Sequence, residues 1–388
     1  MKKRILFINT VSGFSSTGRI TASLSKIEDF DSLVCYGRKK DYEEVGTYKF
    51  ANIIDNSVGA ARTILFDNNL HICFMATKRL ISKIKEFQPD IIHLHNLHGY
   101  YVNVKMLFEF LRDYNKPVVW TLHDTWALTG YCPIADYYDC EKYKTQCENC
   151  PCGLYYPYSL FKQNLKNDFF EKEELFNSLN NLTLVTPSKW LKEMCSSSKI
   201  LKNIPTVVIN NGIDLSTFKP SKEKNKKFTA LAVAGYWTID KGIDDLNRMI
   251  PLLDKEIDVI VVGGNSDKIK GSRSIKRTSN KQELIDLYSS SHILLMPTLQ
   301  DNFPTVNIEA LACGTPVITY NTGGSPEIID DKTGIVVDKK DYRAMAKYAN
   351  ETKNNYYFEI KECVDRARIF SSEQMIKKYK ELYVNLLK

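Results

Sequence analysis

Two carboxylates, Asp301 and Glu309, bracket the stretch of this 388-residue chain best suited to chemistry. The stretch reads Pro297-Thr298-Leu299-Gln300-Asp301-Asn302-Phe303-Pro304-Thr305-Val306-Asn307-Ile308-Glu309-Ala310-Leu311-Ala312-Cys313-Gly314-Thr315-Pro316. That order predicts a strand, a tight loop, a helix and a glycine stop. Pro304 suits the first helical turn, where its missing N–H would be unpaired anyway. Gly314 suits the left-handed position after the helix, and Pro316 forbids continuation. The amides of Thr305 and Val306 then sit at a helix N-terminus, a ready anion site. Glu309 lies one turn beyond Thr305 on the same face. Ionised carboxylates only accept hydrogen bonds, so each suits a pair of neighbouring hydroxyls. A nucleotide sugar carries hydroxyls at both ends of a diphosphate. An isolated acidic pair would read more simply as a loop cap and a solvated helix residue.

These residues need a scaffold that delivers them to one place. Short apolar runs alternate with longer amphipathic ones, which predicts strand–helix units and parallel sheets. In the first half the strands are expected at Ile5–Ile8, Ser32–Tyr36, Asp90–Leu94, Val118–Leu122 and Thr183–Thr186, with helices such as Leu80–Phe87 and Met106–Asp113. The pattern restarts with strands at Ala230–Ala234, Asp258–Val262, His292–Met296 and Pro316–Thr319, and helices at Ile243–Leu253, Lys281–Ser289 and Thr305–Cys313. Between the halves, Val207–Asp214 reads as a strand ending in a turn, and the lysine-rich stretch Lys219–Lys227 reads as a linker. Ser371–Leu387 has one apolar helical face. The expectation is an α/β chain of two Rossmann-like domains with a cleft between them. Residues 1–206 form the first domain, with a cysteine-rich insertion at 130–158. Residues 207–370 form the second, and 371–388 a final helix that crosses back to the first domain.

The 297–316 stretch, with Thr322-Gly323-Gly324-Ser325-Pro326-Glu327, resembles the E-x7-E signature of the retaining GT-B glycosyltransferases. The similarity is greatest to bacterial enzymes of capsule and exopolysaccharide assembly, and it extends over nearly the whole chain. It implies a nucleotide-sugar donor, UDP- or GDP-linked, with Asp301 on the sugar and Glu309 on the ribose. Phe303, Thr305 and Val306 line the donor site. The acceptor is a glycan or a polyprenyl-linked glycan, and catalysis needs no metal cofactor. Asp301 stands where Glu is commoner and Pro304 where many members have Gly. Lys241, before Gly242, matches the lysine that contacts the donor phosphates. The arginine usual about five residues earlier is absent from Gly235-Tyr236-Trp237-Thr238, leaving Lys241 alone or Arg273, Lys276 or Arg277 to assist. His123, in Thr121-Leu122-His123-Asp124, matches the histidine that hydrogen-bonds the donor sugar, and Gly18 the loop glycine that approaches the diphosphate. The same fold would also suit a nucleotide-sugar epimerase.

Five of the ten cysteines fall between 132 and 152. In a reducing compartment Cys132, Cys140, Cys147 and Cys150 would make a structural zinc site, although the spacing is irregular. A zinc-knuckle binding protein is the reading from a different functional class. His93, His95, His98 and His123 gather at two strand ends, with no spacing typical of a zinc helix motif. The net charge of +7 is too diffuse for a nucleic-acid binder and compatible with anionic ligands or membranes. The opening Lys2-Lys3-Arg4 precedes an apolar run too short for a signal peptide. This predicts a cytoplasmic protein, at the inner face of the plasma membrane where it makes peripheral contact. Tyr155–Lys162 and Tyr100-Tyr101 could lie on that membrane, stack on acceptor sugars, or pack in the core.

Overall fold

Aliphatic runs become buried parallel strands when helices cover both faces of a sheet. The computed structural model describes residues 2–13, 15–40, 46–67, 69–152, 158–160, 164–278 and 280–388. The chain forms two units, Met1–Ile209 with Ile376–Lys388, and Asn210–Met375.

The first unit holds β1 (Lys3–Asn9), β2 (Phe30–Tyr36), β3 (Thr47–Lys49), β4 (Ile91–Leu94), β5 (Val118–Thr121), β6 (Leu182–Thr186) and β7 (Thr206–Val208). They pair in parallel in the order β3-β2-β1-β4-β5-β6-β7. The second holds β8 (Thr229–Tyr236), β9 (Asp258–Gly264), β10 (Arg273–Ile275), β11 (Ile293–Met296), β12 (Val317–Tyr320) and β13 (Gly334–Val337). Their order is β10-β9-β8-β11-β12-β13, again parallel. Each sheet reverses its winding beside its first strand, at β1/β4 and at β8/β11. In open α/β sheets a ligand crevice forms outside the strand carboxyl ends at such a reversal.

The expected strands and helices form in the expected order, with differences that have local causes. The helix from Ile243 stops at Met249 and tightens to a 3-10 turn over Ile250–Leu252, because Pro251 cannot donate to the preceding turn. The 207–214 strand shortens to β7. The stretch 219–227 is not a free linker. Lys224 donates to Ser291 O at 2.6 Å, Thr315 Oγ1 at 2.7 Å and Gly314 O at 3.0 Å, and burial pulls its ammonium pKa down to about 8. Entry to and exit from the second unit are tied by Ile213 N–H to Phe370 O and Ser372 N–H to Ile213 O.

The closing helix, Ser372–Leu386, crosses back to the first unit as expected. There Tyr383 Oη lies 2.7 Å from His93 Nδ1, and Tyr379 Oη lies 2.8 Å from Thr121 Oγ1. Thr121 Oγ1 in turn lies 2.8 Å from His93 Nε2. Every buried polar atom in this small network has a partner, which is what makes it tolerable in a core.

Candidate active site

The reversal point of the second sheet collects the expected charged residues. After β8 a 3-10 turn, Ile239–Lys241, ends at Gly242 with φ +81°. A Cβ there would stand 2.1 Å from Pro297 O, so only glycine lets this turn lie against the loop leaving β11. Leu299 N–H donates to Asp240 O at 2.8 Å and joins the two loops. Lys241 Nζ consequently sits 2.7 Å from Asp301 Oδ2 and 3.2 Å from Gln300 O. Burial opposes the ammonium charge, but the Asp301 carboxylate more than offsets it, and the lysine pKa lies above its ordinary value. Gly323, at φ +55°, backs the loop: a Cβ would fall 1.7 Å from Asp301 O.

The helix Thr305–Ala312 starts one residue later than Pro304, which caps it with extended backbone and no side-chain bond. The amides of Thr305 and Val306 meet no acceptor among the described residues, and Asn307 N–H turns back to Pro304 O. Glu309 is buried, and Tyr288 Oη donates to its Oε2 at 3.0 Å. Burial first, and then this carboxylate, raise the tyrosine pKa well above its usual range. Around the corner lie buried polar atoms without partners: both amide atoms of Asn302 and of Asn307, Thr322 Oγ1 and Ser325 Oγ. Buried polar groups in native proteins are nearly always bonded, so such a concentration marks a place shaped for a polar ligand or ordered water.

In the first unit, His93 lies within β4, His95 and His98 follow it, and His123 follows β5. His95 Nδ1 and His123 Nε2 are 2.9 Å apart with their rings stacked. Burial lowers the pKa of His93 and His95 well below the ordinary value and that of His123 to about 4, so all three are neutral at pH 7. His98 Nε2 lies 2.6 Å from Asp124 Oδ2. Burial pushes the Asp124 carboxyl up, but His98 and the Trp126 amide outweigh it and hold it below the usual range. Lys172, fully buried, donates to Trp126 O at 2.8 Å and Thr129 O at 2.9 Å and so fixes the loop beyond His123.

Comparison with known proteins agrees with this geometry. Residues 32–217 match the Glycosyltransferase Family 4 model, and residues 227–355 match the model for glycosyl transferases group 1. An Escherichia coli K12 protein named as a colanic acid biosynthesis glycosyl transferase, WcaC, is 27% identical over 340 residues, 83% of this chain and 82% of that one. The Staphylococcus aureus capsular polysaccharide glycosyltransferase CapM is 26% identical over 237 residues, 53% of this chain and 62% of that one. The chain is a GT-B glycosyltransferase. It resembles enzymes of bacterial surface polysaccharide synthesis. Its fold is that of sucrose-phosphate synthase from Thermosynechococcus elongatus, with a TM-score of 0.71 at 16% identity over 99% of both chains. It is also that of Anabaena HepE, solved with UDP-glucose, with a TM-score of 0.67 at 14% identity over 98% and 99% of the two chains.

The other residues expected to serve this glycosyltransferase lie as follows. Cys132, Cys140, Cys147 and Cys150, the expected zinc set, line one small cavity, although among the described residues no group of three or more His, Cys, Asp or Glu is placed to hold a metal ion. Cys132 is hydrogen-bonded to Cys150, a member of the expected set, and to Cys152, which lay outside it. These hydrogen bonds, then burial, raise the Cys132 pKa, and burial pushes Cys147 up to about 11. Phe303 turns its ring into the core against Phe370. Gly18 is buried in the helix Ser15–Ser25, where a Cβ would stand 3.2 Å from Gly13 N; its smallness serves the loop's packing. β10, which carries Arg273, is the sheet edge, separated from β8 by β9, and Lys276 is held by Asp267 at 3.0 Å. Lys241 is the cation at the corner. Tyr100 and Tyr101 are core residues, and most of Tyr155–Lys162 lies outside the described residues.

Asn302, Asn307 and His95 were not singled out for the site from sequence. A signal existed for Asn307, an amide inside the otherwise apolar run Val306–Ile308 of a buried helix. No sequence signal pairs His95 with His123, because that contact depends on the register of β4 against β5.

Proposed function

We propose that this glycosyltransferase moves a hexosyl group, with retention, from a nucleotide sugar to a glycan or polyprenyl-linked acceptor. The observation that carries the reading is the β8/β11 corner, where an ammonium 2.7 Å from a carboxylate adjoins two unpartnered helix amides. Glu309 accepts from the ribose hydroxyls and Asp301 from the sugar hydroxyls. Lys241 and the amides of Thr305 and Val306 take up the charge that grows on the departing diphosphate. The acceptor oxygen bonds to the anomeric carbon on the face from which the phosphate oxygen leaves, and the acceptor's proton passes to that phosphate oxygen. For His123 we keep the sugar-contacting role that the family resemblance implies. Binding of UDP-glucose by the same fold in HepE supports a nucleotide sugar as donor.

A thermal-shift screen of UDP- and GDP-sugars tests this. A donor at about 100 times its Kd stabilises by roughly 2.7 kcal/mol, an upward shift of several degrees. The shift should be lost in Glu309→Gln, and wild-type protein given the same donor should form a glycoside of unchanged anomeric configuration. An inverted product, or an epimerised nucleotide sugar without transfer, would overturn the proposal.

A further inference from the structure

We infer that His95 is a positioning residue for His123: it donates Nδ1–H to His123 Nε2 and leaves His123 with its one ring proton on Nδ1, the nitrogen open to a ligand. The inference rests on the sugar contact proposed above for His123, and says which atom makes it and what holds that atom in place. His95 follows β4 and is fully buried. Its backbone is clamped on both sides, the N–H donating to Ile8 O at 2.9 Å and the carbonyl accepting from Trp120 Nε1 at 2.8 Å. Its ring belongs to a row of four. Phe7 and His93 stand opposite each other in β1 and β4 with ring centroids 5.3 Å apart, and His93 and His95 follow at 4.3 Å. His95 and His123 complete the row at 5.3 Å, with an interplanar angle of 15°. His93 is itself bonded through both ring nitrogens, to Tyr383 and Thr121. A close-packed row anchored in this way leaves the His95 ring little freedom to turn, so its Nδ1 is a fixed partner for His123.

The proton positions follow from what each nitrogen meets. Burial keeps both rings neutral at pH 7, so each carries a single ring N–H. Between His95 Nδ1 and His123 Nε2, 2.9 Å apart, only one nitrogen can carry the proton of the bond. Were His123 the donor, the His95 proton would sit on Nε2, which is buried and meets no acceptor among the described residues. A buried N–H without an acceptor is rarer than a buried acceptor without a donor, so the proton belongs on His95 Nδ1. His123 Nε2 is then the acceptor, and the bond it accepts sets the His123 proton on Nδ1. His123 is half-buried, and its Nδ1 is neither bonded among the described residues nor closed off as His95 Nε2 is. Asp124, next in the chain, does not take over the orienting role: His98 occupies its Oδ2 at 2.6 Å and the Trp126 amide its Oδ1 at 2.8 Å. His123 therefore offers the sugar a neutral donor that fits a hydroxyl oxygen. A sugar without oxygen at that place would leave the N–H unpaired, and a site built around a hydrogen bond rejects such an analogue strongly.

The tautomers are read first, in the wild-type chain without ligand. The protein is isotope-labelled at its histidine ring nitrogens, and proton–nitrogen correlation spectra are recorded at neutral pH with assignment by single substitutions. His95 and His123 should both be Nδ1–H tautomers, and His123 found as the Nε2–H tautomer overturns the inference. Two variants then separate positioning from packing. His95→Phe keeps the row of rings and loses the N–H, whereas His95→Asn loses the ring and keeps an amide N–H near the place of Nδ1. With the nucleotide sugar selected by the thermal-shift screen, His95→Phe should lose roughly 10- to 100-fold in kcat/KM while its affinity for the free nucleoside diphosphate stays at the wild-type value. His95→Asn should recover most of that loss despite a lower Tm. A residue that only packs would give the reverse order, with His95→Phe near wild type and His95→Asn impaired in step with its Tm, and that result also overturns the inference. Wild-type kcat/KM in His123→Ala would refute the sugar contact proposed above, and the positioning role would fall with it. The tautomers measured without ligand tell the two failures apart.

Discussion

Replacing Asp301 with Asn should separate two quantities that an ordinary active-site lesion lowers together. In the free protein the Lys241 ammonium is 2.7 Å from the carboxylate, with side-chain exposures of 30% and 21%. At an effective dielectric near 20 the gross attraction is about 6 kcal/mol, most of it offset by desolvation, which leaves a net of about 1 kcal/mol. A bound diphosphate competes with Asp301 for that ammonium and is repelled by the carboxylate. Asp301→Asn removes both effects, so a free nucleoside diphosphate should bind roughly fivefold tighter by titration calorimetry. The intact donor loses charge-assisted bonds to its sugar hydroxyls, worth about 1.5–3 kcal/mol, so kcat/KM should fall roughly 10- to 150-fold. Parallel losses in nucleoside diphosphate affinity and kcat/KM would refute the assignment of Asp301 to the sugar end. Unchanged kcat/KM would remove Asp301 from the site altogether.

Two further outcomes follow from the first unit. His93, His95 and His123 have folded-state pKa values below the unfolded value near 6.5, so acid favours the unfolded chain, which takes up their protons first. Their contribution is full above about pH 6.5 and is lost towards pH 4; for His123 alone it is up to about 3 kcal/mol. Tm should fall steeply across that window, and a flat profile would show that the histidines are not held neutral. Lys172→Met matches the apolar stem but removes the terminal nitrogen and leaves the Trp126 and Thr129 carbonyls without their donor. It should cost about 2–4 kcal/mol in urea melts, whereas a change under about 0.5 kcal/mol would mean that water replaces the ammonium.

The two sheets were legible because their central strands are continuous buried aliphatic runs, such as Ile5–Ile8 and Val259–Val262. The corner was legible because its two carboxylates and its helix start lie within the one segment 297–316, and because its turns demand particular residues, Gly242 and Gly323 among them. What escaped depends on partners distant in sequence. The Tyr379 and Tyr383 hydroxyls read as polar edges of an apolar face, and only the fold shows that Thr121 and His93 receive them. Periodicity also fails for Ile53–Phe66, where the aliphatic side faces solvent. In the cysteine cluster, spacing reports proximity along the chain and says nothing about which sulfurs meet, so the Cys132–Cys152 contact was not legible.

The closing helix has a consequence for biosynthesis. Residues 1–209 emerge from the ribosome well before Tyr379 and Tyr383, with the whole second unit made in between. At about 5–20 residues per second the wait is on the order of ten to thirty seconds. During it His93 Nδ1 and Thr121 Oγ1 must find water, or another hydroxyl, in the places those tyrosines will later fill. The nascent amino-terminal half is therefore a natural client for a chaperone, and a chain interrupted before residue 379 would carry a permanently open seam in its first sheet.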